Sequence, residues 1–109
     1  MPVAPHRRFV LGSAEDGNQW HHIVEQTPGN VNRFGPEALH NTENVIQLDQ
    51  GQGLHKRLSG FYSSIQQEIT GSRIQTVRQW LSTQSFEAQR DFGLRAIEKI
   101  QKRIWGVWK

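Results

Sequence analysis

The sequence contains no cysteine, and this absence excludes a disulfide-bonded scaffold and a thiolate metal site. Disulfide-stapled scaffolds need paired cysteines, and thiolate metal sites need cysteine sulfur. Any metal that this chain binds must therefore use histidine, carboxylate or amide ligands. The chain also lacks an apolar run near the roughly 20 residues that cross a bilayer, so we expect no membrane segment.

Apolar residues are scarce as well. They make up 35% of the 109 residues, so the core is small and a single domain is expected over residues 1–109. The first eleven residues lack the apolar stretch that a secretory signal requires. We therefore expect a larger parent protein to supply any export.

Charge is distributed unevenly along the chain. Residues 1–53 carry three arginines and six acidic residues, whereas residues 54–109 carry ten Lys or Arg and four acidic residues. The net charge of +3 thus combines an acidic first half with a basic second half. This asymmetry favours a polyanionic partner, although a solvated basic helix surface explains the same charges.

The first half of the chain predicts two short strands. Trp20–Val24 is a short run rich in β-branched and aromatic residues, and Asn44–Leu48 has β-branched residues at its centre. Between them, Thr27-Pro28-Gly29-Asn30 predicts a turn, residues 32–35 a loop, and Pro36 the start of a short helix through His40.

The second half predicts helices. Apolar residues recur at spacings of three and four from Leu54 to Ile65, in a helix that we expect to end at residues 70–72. A shorter helix follows Thr76, and a last helix follows Ser85. The apolar stripe of the last helix is predicted to continue through Ile104 and Val107 or Trp108.

The adjacent histidines His21 and His22 are the first candidates for chemistry. In a strand their side chains leave opposite faces, so one can bind a metal while the other acts as a base. A neutral imidazole whose pKa is near 7 is suited to deprotonating water. An ordinary pair of partly buried histidines fits the same pattern.

Two further residues extend this pattern. The carboxamide of Asn44 offers a donor and an acceptor that can hold the backbone of the opposite loop, and so fix the ring of the base. His55, in the first turn of a predicted helix, is placed to complete a metal site with His21. Taken alone, Asn44 could simply cap a turn, and His55 could simply make a local hydrogen bond.

Together these residues resemble the HNH/endonuclease VII (His-Me finger) superfamily. The order is His21-His22-Ile23-Val24, then Asn44 on an apolar strand, then His55 on a helix. The resemblance covers about residues 18–100 and is closest to the toxin domains that end bacterial Rhs-type and contact-dependent inhibition polymorphic toxins. The segments 33–42, 58–64 and 76–86 also resemble those domains.

The resemblance implies an α+β fold, mostly α by content. It comprises an N-terminal extension (1–17), a ββα-metal finger (18–66) and a helical C-terminal part (67–109). His22 matches the general base, Asn44 the middle asparagine, and His21 and His55 the ligands of one divalent ion. Some relatives carry a second helix histidine where this chain has Ser59, so water and phosphate would complete the coordination.

The cofactor is expected to be Zn, Ni, Mn or Mg, with imidazole ligands favouring the softer ions. Basic residues are expected to hold the phosphates of the substrate: Arg33, Lys56, Arg57, Arg73 and Arg78. His40 and Asn41 are further site candidates, although an ordinary loop role for His40 is the simpler interpretation.

The function predicted from this resemblance is metal-dependent hydrolysis of DNA phosphodiester bonds with little sequence specificity. The domain would be secreted as part of a larger bacterial toxin, act in the cytoplasm of a target cell, and be neutralised by an acidic immunity protein. Three alternatives stay open: a ribonuclease of the same fold, a non-catalytic nucleic-acid-binding module, and a zinc-stabilised protein-interaction domain.

Overall fold

The computed structural model describes residues 17–107, in which helices predominate over strands. Its strands are β1 (Asn18–His22) and β2 (Val45–Asp49), and its α-helices are α1 (Pro28–Phe34), α2 (Pro36–Leu39), α3 (Leu54–Tyr62), α4 (Gln67–Thr70), α5 (Val77–Leu81) and α6 (Phe86–Gln101). The predicted α+β class, mostly α by content, is therefore confirmed. These residues divide into two compact units between Gln52 and Gly53.

The first unit is built on an antiparallel pair of strands. β1 pairs with β2 from Asn18 opposite Asp49 to His22 opposite Val45, so both predicted strands exist. β1 begins two residues earlier than predicted, and β2 is displaced by one residue. His21 is buried and lies opposite Ile46, while His22 is half-buried, as expected for neighbours on a strand.

The connection between the strands contains a helix that the sequence analysis missed. Residues 27–30 were predicted as a turn, but the Thr27 side chain accepts a hydrogen bond from the Asn30 N–H and caps α1. Pro28 takes the first helical position, where its missing N–H costs nothing. Gly35, at φ 83°, then ends α1 and leads into α2.

The second unit is helical, with its apolar core on α3, α5 and α6. Phe61 and Val77 are fully buried, and Ile100 is nearly so. Each such side chain contributes about 1.5–3 kcal/mol relative to exposure. Phe61 stacks on Trp105 with ring centroids 5.4 Å apart, so this tryptophan is part of the packing.

Two helix ends differ from prediction. α3 ends at Tyr62, the separate short helix α4 follows, and Ile65 between them is half exposed, so the predicted continuous helix is wrong. α6 ends at Gln101, and Arg103 adopts a left-handed conformation with φ 61°. Ile104 and Val107 are exposed and extend no stripe, and Trp108 lies outside the described residues.

Of the predicted segments, the extension 1–17 lies outside the described residues except for Gly17. No helix among the described residues is long and apolar enough to cross a membrane.

Candidate functional site

Asn44 lies where the connection between the strands closes. It is the last residue of a 3-10 helix, Thr42–Asn44, and is 1% exposed. Its Oδ1 accepts from the Val24 N–H at 2.8 Å, and its Nδ2 donates to the carbonyls of Val24 and Leu39 at 3.1 and 2.9 Å. One side chain therefore ties the segment after β1 to the end of α2.

Those two segments carry His22 and His40. His22 is the last residue of β1, two residues before Val24, and His40 follows Leu39 at the end of α2. The Nε2 of His22 lies 3.1 Å from the Nδ1 of His40, and the rings meet edge to face with centroids 5.1 Å apart. The hydrogen bonds from the Asn44 side chain to these two backbone segments thus bring together two histidines that are 18 residues apart in sequence.

A third polar side chain contacts this pair. The Nε2 of Gln26 lies 3.0 Å from the Nδ1 of His22, so both ring nitrogens of His22 have a partner. Sequence reasoning missed Gln26, because nothing in the spacing of His22 and Gln26 marks a contact across a strand end.

The electrostatics of the pair favour neutral imidazole. Burial lowers the pKa of His22 below its ordinary value of 6.5, and the Coulombic interaction with His40 lowers it further. A ring that stays neutral at neutral pH keeps a lone pair available for accepting a proton. This arrangement can act as a base toward a bound water.

The remaining candidates of the first unit have different surroundings. His21 is 9% exposed on β1. Asn41 is buried and its Oδ1 accepts from the Glu43 N–H at 2.9 Å, which caps the 3-10 helix. Arg33 is exposed in the last turn of α1, with its guanidinium 4.7 Å from the centroid of the Phe34 ring.

The second unit holds the other candidates. His55 and Lys56 are exposed in the first turn of α3, and Arg73 is exposed between α4 and α5. Arg78, on α5, donates from Nη1 to the Ser63 hydroxyl at 2.7 Å. These positions leave His55, Lys56 and Arg73 accessible to solvent.

Arg57 differs from its exposed neighbours. Its Nη2 donates to the carbonyl of Ile100, near the end of α6, and its Nη1 is buried without a hydrogen-bond partner among the described residues. The guanidinium therefore links α3 to α6. This structural contact was not expected from the predicted role of Arg57 in phosphate binding.

Within residues 17–107 no three histidine, cysteine or acidic side chains come together as a group that could hold a metal ion. Each of the two predicted ligands, His21 and His55, offers the imidazole nitrogen that a transition ion accepts.

Comparison with known proteins identifies no relative of this chain: no family model, no curated protein and no solved structure matches it.

Proposed function

We propose that this chain is a metal-dependent endonuclease that hydrolyses DNA phosphodiester bonds with little sequence specificity, with His22 as the general base. One arrangement supports the proposal above all others: the buried Asn44 clamp, which holds the segment of His22 against the segment of His40. A base must be held in a fixed orientation and stay neutral at working pH, and His22 meets both conditions.

His22 would take a proton from a water aligned with the scissile phosphorus. The O–H bond of that water breaks, and a new N–H bond forms on the imidazole. The resulting hydroxide forms a bond to the phosphorus while the P–O3′ bond breaks, and the leaving 3′ oxygen takes a proton from solvent. Such proton transfer typically contributes about 10²- to 10⁴-fold to a rate. Cleavage to 5′-phosphate and 3′-hydroxyl ends is what the resemblance to HNH nucleases implies.

The resemblance implies that His21 and His55 are ligands of one divalent ion, and imidazole nitrogen suits Zn and Ni better than Mn or Mg. Bound there, the ion would supply Lewis-acid stabilisation of the leaving oxygen. The chain order β1, β2, α3 fits the ββα-metal finger of this superfamily, and we propose that finger as the finer description of the fold.

The basic residues of the second unit would hold the substrate backbone. Lys56 and Arg73 are exposed, and residues 54–109 carry a large excess of positive charge. Contacts to phosphates fix the position of a nucleic acid without reading its sequence, which fits an enzyme of low specificity.

The biological setting that we propose also follows from the resemblance. The chain would be the toxic C-terminal domain of a larger secreted bacterial protein and would act in the cytoplasm of a competing cell. Its producer would carry an immunity protein, and an acidic surface on that protein would complement the basic second half of this chain.

A plasmid-nicking assay with Mg, Mn, Ni, Zn and EDTA tests the proposed activity. We expect cleavage by wild type with at least one metal, none with EDTA, and a loss of at least about 100-fold in His22→Ala. His6→Ala is the matched control, since it removes a histidine to which the proposal gives no role.

Three outcomes would redirect the proposal. Equal cleavage by His22→Ala and wild type would show that His22 is not the base. No cleavage of DNA with any metal, but cleavage of RNA, would make the chain a ribonuclease. No cleavage of either polymer, with binding retained, would leave a non-catalytic binding module.

A further inference from the structure

The hydrogen bonds around His22 form a chain with one direction. An amide nitrogen can only donate, so the Nε2 of Gln26 donates to the Nδ1 of His22 across 3.0 Å. A neutral imidazole carries one proton, which must then be on the Nε2 of His22. That N–H points to the Nδ1 of His40, 3.1 Å away, which accepts it.

We propose that His40 is a positioning residue that holds His22 as the Nε2–H tautomer and thereby presents the Nδ1 of His22 as the basic nitrogen. The proposal rests on the nuclease function proposed above. It assigns a role to His40, for which the sequence predicts only a further site candidate or an ordinary loop residue.

The position of His40 is fixed by the fold and not by the ring contact alone. Its backbone N–H donates to the Pro36 carbonyl at 3.0 Å and so ends α2. The preceding residue, Leu39, is fully buried, and its carbonyl accepts from Asn44. Because Asn44 also holds Val24, the separation of the two rings is set by buried backbone contacts.

Gln26 indicates where the reacting water would lie. Its amide donates to the Nδ1 of His22 from the position that a water O–H would occupy. Gln26 is exposed, so its side chain can swing into solvent without opening the core. We infer that this amide gives way to the water when a substrate binds.

The proton balance of the step is simple. When the Nδ1 of His22 takes a proton from water, the ring becomes an imidazolium, and its Nε2–H continues to donate to the Nδ1 of His40. No proton passes to His40, whose Nδ1 accepts a charge-assisted hydrogen bond from the imidazolium.

Nitrogen-15 NMR of the imidazole rings tests the tautomer directly in the full chain. In wild type at a pH where His22 is neutral, we expect a protonated Nε2 and an unprotonated Nδ1. Because the Gln26 amide also favours this tautomer, the role of His40 is tested in a Gln26→Ala background: the Nε2–H form should persist there with His40 present, and His40→Ala should give a mixture of tautomers. His40→Asn should restore the Nε2–H form, because its Oδ1 can take the place of Nδ1 as acceptor. The Val24 amide resonance reports whether the Asn44 clamp is intact in each variant.

Cleavage rates provide the second readout. His40→Ala should lower kcat about 10- to 100-fold with little change in KM, which is at most the lower end of the roughly 10²- to 10⁴-fold that a positioned acid or base contributes. His40→Asn should recover most of that loss. Glu37→Ala, an exposed change on the same short helix, is the matched control and should cleave as wild type does.

The outcomes separate the two proposals. If wild-type His22 carries its proton on Nδ1, or if His40→Ala leaves the tautomer unchanged in the Gln26→Ala background, the positioning role is refuted whether or not the protein cleaves DNA. If the tautomers behave as expected but wild type cleaves no nucleic acid, the nuclease function fails while the assignment of His40 to the tautomer stands.

Discussion

Replacement of Asn44 by alanine should destabilise the first unit more than any other single polar substitution there. The change removes three hydrogen bonds from a side chain that is 1% exposed, and leaves the N–H and carbonyl of Val24 and the carbonyl of Leu39 unpaired. At about 1 kcal/mol for each lost bond, with a further cost for unpaired buried groups, we expect a loss of roughly 3–5 kcal/mol.

Two variants separate this effect from loss of volume. Asn44→Asp keeps the side-chain shape and the acceptor for the Val24 N–H, but it points an oxygen at two carbonyls, so it should also be severely destabilised. Asn41→Ala is the matched control: Asn41 is 5% exposed and its side chain caps the 3-10 helix. Loss of a cap costs about 0.5–2 kcal/mol.

Urea titration followed by amide resonances measures the unfolding free energy of residues 17–52 and 53–107 separately. We expect the Asn44 variants to lower that of the first unit, with Val24 among the resonances affected. A loss in Asn44→Ala no larger than that in Asn41→Ala would refute the reasoning, because the clamp would then contribute no more than one capping bond.

Three other predictions concern charge and helix ends. The pKa of His22, measured by NMR in metal-free protein, should lie below 6.5. As pH falls, His22 is then protonated in the unfolded chain at a higher pH than in the folded chain. Its contribution to stability is therefore complete above about 6.5 and is lost as pH falls toward the folded pKa. A pKa at or above 6.5 would contradict the burial argument. Lys56→Ala should weaken DNA binding and lower the slope of log binding constant against log salt concentration by about 1, without changing stability. Arg57→Met should instead lower the free energy of unfolding by roughly 1–3 kcal/mol, because it breaks the hydrogen bond to the Ile100 carbonyl. Binding isotherms at several salt concentrations and urea melts distinguish the two residues. Thr76→Ala should cost about 1 kcal/mol in a urea melt by removing the capping box of α5, and an unchanged midpoint would show that the cap contributes nothing.

The strands and the later helices could be predicted because their signals are local. β-branched residues mark β2, and the caps Thr76 and Ser85 mark the starts of α5 and α6. Helix α1 was missed because Thr27 and Pro28 serve a turn and a helix start equally well. The structure shows the helix start, with the Thr27 side chain accepting from the Asn30 N–H.

The contacts of the candidate site were only partly predictable. The chemistry of a carboxamide led us to expect that Asn44 would hold a nearby backbone, but its partners Val24 and Leu39 depend on the path of the intervening helices. The pairing of His22 with His40 depends on the same path. Side-chain contacts that span 18 or more residues are set by tertiary structure, which local spacing does not encode.

The same limit applies to the surface charges. The basic second half is evident from the sequence, yet Lys56 and Arg57 are adjacent in sequence and differ in surroundings: the first is exposed, and the second donates to a carbonyl at the end of another helix. The helical period places neighbouring residues about 100° apart, so one can face solvent while the other faces the core.

The central claim is that a nitrogen base at position 22 activates water for phosphodiester hydrolysis. The most direct test is the single-turnover cleavage rate of His22→Gly with and without added imidazole, with wild type given the same additive. We predict that His22→Gly is nearly inactive, that imidazole restores part of its rate in proportion to the neutral imidazole present, and that wild type is not accelerated. Cleavage by His22→Gly at the wild-type rate without imidazole would contradict the claim.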